Sequence, residues 1–371
     1  METIRLGNAC EILNGYAFKS ENYVDSGIRV IRIANVQKGF IEDNTPAFYP
    51  LDFIGLDKYM LEEGDLLMSL TGNVGRVAIL EKEFMPAALN QRVACLRLKT
   101  DRITKGYLFH ILNSNFFEQQ CIQSSKGVAQ KNMSTEWLKD YEIPVYPTEK
   151  QAKITATLDN IRRVIACKIE ELLKLDELVK ARFVEMFGMP GSDEKGWGLR
   201  KLGDCCELNP KKSKDSRLVS GLKVSFVPMP AVSENGAIDP SEVKLYDEVK
   251  TGFTYFAEND VLMAKITPCM ENGKGAVAVG LTNGIGFGST EFHVLRPIED
   301  ISSPYWIYIM TIIKAFREDA ASNMTGSAGQ RRVPATFLDN FKVALPPIEL
   351  QEQFASFVKQ LDKSKFDVYP F

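Results

Sequence analysis

The sequence predicts an α/β (α+β) chain of two duplicated globular domains, each followed by a long helix, and three observations predict it. Residues 1 to 106 are short alternating apolar segments punctuated by glycine, the pattern of a compact, partly antiparallel sheet. Residues 148 to 188 contain no proline, and no glycine before Gly188, so they read as one uninterrupted helix. After that helix the chain repeats the same order of elements. Asp65 answers Asp260 and Pro147 answers Pro347, at separations of 195 and 200 residues, which marks an internal duplication. The bounds that follow are a first domain at 1–147, a central spacer helix at 148–188, a second domain at 189–346, and a short C-terminal helix with its tail at 347–371.

Taken in order, strand signals fall in residues 4–13, 28–37, 65–70, 75–81 and 91–99. Gly106 to Gln123 reads as a helix, a polar loop follows, and residues 141–147 form a short strand ending at Pro147. The central helix carries Ile154, Leu158, Ile161, Ile165, Ile169, Leu172, Val179, Phe183 and Met186 on one stripe. Thr148 and Gln151 have the spacing of a capping box, and Gly188 with Pro190 supplies a stop. At 1.5 Å per residue this helix would be about 60 Å long, too long for one globular core to cover.

The repeat can be followed through ordered pairs. Leu6-Gly7 answers Leu202-Gly203, Asp65 to Met68 answers Asp260 to Met263, and Leu96-Arg97 answers Leu295-Arg296. Gln130 answers Gln330, Trp137-Leu138 answers Phe337-Leu338, and Gln151 answers Gln351. The second helix, from Pro347 to about Phe366, repeats the stripe with Ile348, Phe354, Val358 and Leu361, at half the length. Two such stripes bury each other most simply as an antiparallel coiled coil. The shorter helix would leave Ile154, Leu158, Ile161 and Ile165 uncovered, and exposed apolar surface of that kind marks a partner site.

Composition narrows the function. Forty-five basic against 48 acidic side chains give a net charge of −3, so bulk charge does not announce a nucleic-acid partner. Seven cysteines lack CxxC spacing, and no apolar run is long enough to span a bilayer, so a reducing cytoplasm and no membrane partner are expected. Asn209-Pro210-Lys211-Lys212 begins like an adenine methyltransferase motif but lacks its second proline and its aromatic residue. Gly273-Lys274-Gly275 lacks phosphate-loop spacing. His110 and His293 are the two histidines, both expected as packing residues, and no cysteine and histidine cluster has metal spacing.

Two α/β domains, each ended by a proline-to-glutamine helix start (Pro147 to Gln151, Pro347 to Gln351), with Leu175 to Gly188 closing the central helix, resemble the specificity subunit of type I restriction-modification systems. The resemblance covers essentially the whole chain. It implies that each globular domain is a target recognition domain reading half of a bipartite double-stranded DNA site. It also implies that the helices space the halves and dock two methyltransferase subunits, that motor-nuclease subunits add restriction, and that this chain is not catalytic and holds no cofactor. S-adenosylmethionine would then belong to the methyltransferase. The uncovered stripe would receive a methyltransferase helix or a second copy of the chain. The rival reading is a shortened coiled-coil scaffold or inactive paralogue that does not read DNA, favoured by near-neutral charge and a short second helix, and opposed by the paired loops described next.

DNA-reading chemistry is expected on loops. Lys126, Gln130, Lys131 and Asn132 in the first domain answer Gln330, Arg331 and Arg332 in the second, joining amides that suit adenine, arginines that suit guanine and cations that suit phosphate. A second pair of loops carries Asn73 and Arg76 in one domain and Lys265 and Lys274 in the other. Asn90-Gln91-Arg92 and Lys211, Lys212 and Lys214 are smaller sets.

Overall fold

Strand pairing in the two halves of the chain follows one plan, as seen in a computed structural model that describes residues 2–125, 132–327 and 329–368. The first half runs β1 (Thr3–Arg5), α1 (Leu6–Ala9), β2 (Cys10–Asn14), β3 (Ile28–Ile31), β4 (Phe48–Tyr49), β5 (Leu66–Ser69), β6 (Val77–Ile79), β7 (Ala87–Leu89), β8 (Val93–Leu98), α2 (Lys105–Leu112), α3 (Asn115–Ser124), α4 (Thr135–Asp140), β9 (Glu142–Pro144) and α5 (Thr148–Phe187). The second runs β10 (Leu199–Lys201), β11 (Cys206–Leu208), β12 (Lys223–Val227), β13 (Val243–Leu245), α6 (Tyr246–Val249), β14 (Thr254–Ala257), β15 (Val261–Ala264), β16 (Gly275–Val277), β17 (Ile285–Gly288), β18 (Phe292–Pro297), α7 (Pro304–Ile312), α8 (Lys314–Ser322), α9 (Ala335–Asn340), β19 (Lys342–Ala344) and α10 (Ile348–Val368). Residues 1–166 and 167–371 form two compact units.

Each unit holds a four-stranded antiparallel sheet, β2-β8-β5-β6 in the first and β11-β18-β15-β16 in the second. A mixed sheet accompanies it, the three-stranded β4-β3-β7 in the first and the four-stranded β13-β12-β17-β14 in the second, with one parallel pair in each. A two-stranded ribbon, β1-β9 or β10-β19, ties the unit's opening strand to the strand preceding its long helix. Met68 and Leu96 face one core with Leu108 and Phe117 of the helices, while Leu67 and Cys95, one residue along each strand, face another. Period-two alternation thus buries both faces of the central strands.

Residues matched by the repeat explain one another. Arg97 donates from Nε and Nη2 to the Asp65 carboxylate at 2.9 and 2.7 Å, and Arg296 does the same to Asp260 at 2.8 and 2.7 Å. Gly7 and Gly203 recur because a Cβ there would lie 2.9 Å from Lys139 Cβ or 2.1 Å from Asp339 Oδ1; the first turn packs that closely on α4 or α9. Gln151 and Gln351 are fully buried. The Gln151 side chain accepts from Thr104 N and donates to the carbonyls of Arg102 and Tyr146, while Gln351 accepts from Ser303 N and donates to Ile301 and Pro346. The capping box expected at Thr148 and Gln151 is therefore not what this glutamine makes. Its amide pins the helix start to the loop before α2, because those buried backbone groups have no water to satisfy them.

Several expectations about elements change. Residues 4–13 are two strands separated by the one-turn α1. The helix expected over Gly106 to Gln123 is broken at Asn113, where Ser114 caps α3 by accepting from Phe117 N. Thr135 to Asp140 forms the short helix α4, and the strands at 48–49 and 87–89 escape a pattern reading because two or three residues hold no period. The central helix runs as expected and ends at Gly188, with φ +81° and its N–H bonded to Val184. On its stripe Met186 is half-buried against the same core as the buried Phe183, and Phe187, one residue on, is buried as well and packs with Phe183 around Phe354 of α10 at centroid distances of 5.0 to 5.6 Å. Val179 and Val358 belong to the same core, together with Trp306 and Met310 of α7. Ile154 packs on the first unit's core, so its assignment to a partner surface is corrected. Leu158, Ile161 and Ile165 are exposed, as are Val164 and Ile169.

Candidate nucleic-acid interface

The two loops picked out separately in each domain are brought to one rim. In the first domain Thr71 bridges to Asn132, Met133 N donates to Leu70 O, and Leu70 N donates to Arg92 O. In the second Ile266 bridges to Arg332, Val333 N donates to Lys265 O, and Lys265 N donates to Glu291 O. Each rim lies where its central strand, β5 or β15, runs out of ladder partners, and a segment from distant sequence closes it. Such a rim offers loop backbone and polar side chains above a rigid sheet, the arrangement that functional loops need.

The side chains on these rims differ in freedom. Asn73 and Asn132 are exposed, whereas Lys126, Gln130 and Lys131 lie outside the described residues. Arg76 is half-buried and donates to Gln37 Oε1, which makes it part of the scaffold. In the second domain Gln330 and Arg331 are exposed, with Arg331 bonded to Glu271 at 3.1 Å. Arg332 is spent within the protein: it donates from Nε and Nη2 to the Glu291 carboxylate, both at 2.9 Å, and from Nη1 to Gln330 O at 3.0 Å. Hydrogen bonds from Arg332 hold the Glu291 carboxyl below the usual carboxylate range, against the opposing effect of burial. Lys265 is half-buried, and Lys274 Nζ turns to Met229 O at 3.4 Å. Lys212 and Lys214 are likewise engaged, with Lys250 O and Glu207.

Asn209 takes a structural role. Its φ of +49° suits asparagine, its Oδ1 accepts from Val294 N and its amide meets His293 Nδ1 at 3.2 Å. His293 is buried, with Nε2 2.8 Å from Val333 O, which fixes a neutral ring donating from Nε2 and accepting at Nδ1. Burial pushes its pKa below the ordinary value. The unfolded chain therefore takes up a proton near pH 6.5 that the folded rim refuses; this stability is present above that pH and is lost as pH falls toward the depressed folded value. The denaturant midpoint of the second domain is expected to drop between pH 7 and pH 5. His293→Gln should show a smaller drop over that interval, and equal drops in both proteins would reject the assignment.

One residue that sequence reasoning missed ties the first rim to the long helix. Arg162 of α5 donates to Gly39 O at 3.1 Å and its guanidinium lies 4.7 Å from the Phe109 ring centre. Gly39 sits in a hairpin whose Gln37 receives Arg76 and whose Lys38 pairs with Glu118 at 2.6 Å. A hydrogen-bonded path thus leads from α5 through the hairpin to the 71–76 loop. Beside it His110 contacts Asp159 at 2.8 Å. Nothing in the sequence sets Arg162 apart from other charges on an exposed helix face; only the hairpin's position does.

A family model described as the type I restriction modification DNA specificity domain matches residues 1–177 and again 194–368. The EcoAI and EcoEI type I restriction enzyme specificity subunits of Escherichia coli are 39% and 38% identical over 197 and 193 residues, which is 51% and 49% of this chain. Those matches span 32% and 31% of the two relatives, so the chain covers about a third of their length. The putative type I restriction enzyme MjaX specificity subunit of Methanocaldococcus jannaschii is 23% identical over 97% of this chain and 86% of its own. Among solved structures, the type I restriction-modification S subunit of M. genitalium aligns over 99% of this chain and 90% of its own, with a TM-score of 0.52 and 14% identity. A chain from a study of type I system assembly and conformational transition aligns over 99% and 91%, with a TM-score of 0.53 and 18% identity. These two likenesses carry the fold.

Proposed function

This chain belongs to the type I restriction modification DNA specificity family, and from that premise we propose that it is the sequence-reading, non-catalytic subunit of a type I restriction-modification complex. Each globular domain reads one half of a bipartite site in double-stranded DNA. α5 and α10 pair as an antiparallel coiled coil and set the gap between the halves. Methyltransferase subunits dock on the helices, and the exposed Leu158, Ile161 and Ile165 receive an apolar helix from one of them. Adenine methylation with S-adenosylmethionine, and cleavage by motor-nuclease subunits, belong to those partners.

The observation that carries the reading is the duplicated rim: two domains of one plan end in the same loop junction, built with different side chains. A single fold used twice with different polar tips suits two different half-sites, because phosphate contacts position a protein and base-edge contacts specify the sequence. A net charge of −3 supplies little phosphate neutralisation, so partner subunits provide most of the cations. The test is to express the chain with its methyltransferase, purify the complex and map methylated adenines across the host genome. The expected result is a stable complex and a split motif with a fixed gap. Methylation at a continuous motif, or methylation unchanged when this chain is deleted, would sink the proposal.

A further inference from the structure

The two rims can be superposed position by position through their backbone hydrogen bonds. Arg92 O accepts from Leu70 N at 2.9 Å, just as Glu291 O accepts from Lys265 N at 2.9 Å. The Thr71 to Asn132 bridge answers the Ile266 to Arg332 bridge. Arg92 and Glu291 therefore hold one position, and Asn132 and Arg332 the other. In the second domain the side chains from these two positions meet in a two-point ion pair at 2.9 Å, which shows that the positions address a common spot. The equivalent positions of the first domain carry a guanidinium and a carboxamide, both on exposed residues. Among the described residues no carboxylate pairs with the Arg92 side chain.

Resting on the reading that each domain contacts half of a DNA site, we infer that Arg92 is a specificity-determining DNA contact of the first domain, and that Glu291, its counterpart, withholds Arg332 from DNA in the second. A planar guanidinium matches guanine O6 and N7 in two-point fashion, and an asparagine amide beside it matches adenine N6 and N7. The second rim is self-satisfied at the same place. Bringing Arg332 to a base would leave Glu291 unpaired facing DNA, so reading there falls to Gln330 and to Arg331, which makes one bond to Glu271 where Arg332 makes two to Glu291. The sequence conceals this difference, because Arg331-Arg332 looks the more basic site and Arg92 stands apart from its loop partner by forty residues of chain.

The test uses the complex with methyltransferase and duplexes carrying the mapped split site, substituted one base pair at a time. Arg92→Ala is expected to lower discrimination by roughly 5- to 150-fold at one or two adjacent pairs of a single half-site, leaving the other half unchanged. Arg92→Lys should restore overall affinity but not that discrimination, which a merely structural role would not separate. Glu291→Gln frees Arg332 and should raise affinity several-fold, with a salt dependence steeper by about one released ion. The inference is overturned if Arg92→Ala keeps full discrimination at every position, or loses affinity equally for all sequences. A wild-type complex that selects no sequence would overturn the reading of the chain itself, whereas normal selection by wild type and Arg92→Ala alike overturns only the assignment of Arg92.

Discussion

Four residues inserted between Ile165 and Leu172 are expected to move methylation to a site whose halves lie one base pair, at most about two, further apart. The insertion lengthens a helix by about 6 Å, and DNA advances about 3.4 Å per base pair along one strand. The buried contacts of α5 lie on either side of the insertion point: Gln151 and Ile154 toward the first core, Val179, Phe183 and Phe187 toward the second. Residues 156 to 171 are exposed throughout, so neither core and neither rim is touched. Base preferences inside each half should stay as they were. Four residues also rotate the helix face by roughly 40°, and some activity is expected to be lost with it. Mapping methylated adenines in cells that carry the insertion gives the decision, because an unchanged gap with full activity would make α5 packing material and not a spacer.

The largest effect on stability is expected at Gln351, where replacement by alanine should cost about 3–5 kcal/mol. Its amide satisfies Ser303 N, Ile301 O and Pro346 O in a site without solvent access. Truncation strands all three backbone groups, and each carries a desolvation cost of about 1–3 kcal/mol. Gln351→Glu should be no better, since a carboxylate has no donor for the two carbonyls. Alanine at the exposed Gln330, the other glutamine of this domain matched by the repeat, should stay within about 0.5 kcal/mol. Denaturant unfolding of the three variants measures this directly, and a loss below about 1 kcal/mol for Gln351→Ala would mean that water or a backbone shift replaces the amide.

That glutamine also shows where sequence reasoning stops. Pro147 to Gln151 and Pro347 to Gln351 are visible as a repeated pair, and local spacing suggests a helix cap. Their actual partners, at Arg102, Thr104, Ile301 and Ser303, lie nearly fifty residues away, and no local pattern encodes a contact at that range. Arg332 teaches the same about the candidate site. Its place in a polar loop is legible, yet its bonds to Glu291 come from the closing of a rim by a segment forty residues distant. The loops themselves are legible because glycine, amide and cation together mark a segment outside the regular strands and the core.

The sequence by itself determined the duplication, the long central helix with its stop at Gly188, and the apolar stripe that stays exposed at Leu158, Ile161 and Ile165. Each of these is written in period, spacing and local backbone chemistry, which act within a few residues of chain. Only the tertiary structure decided that Ile154 leaves that stripe for the first core, that Arg162 anchors the hairpin behind the first rim, and that Arg92 stands where Glu291 stands in the second domain. Those outcomes depend on which side chains distant segments deliver to one place, and a side chain's charge is free to act outward only when no neighbour there already satisfies it.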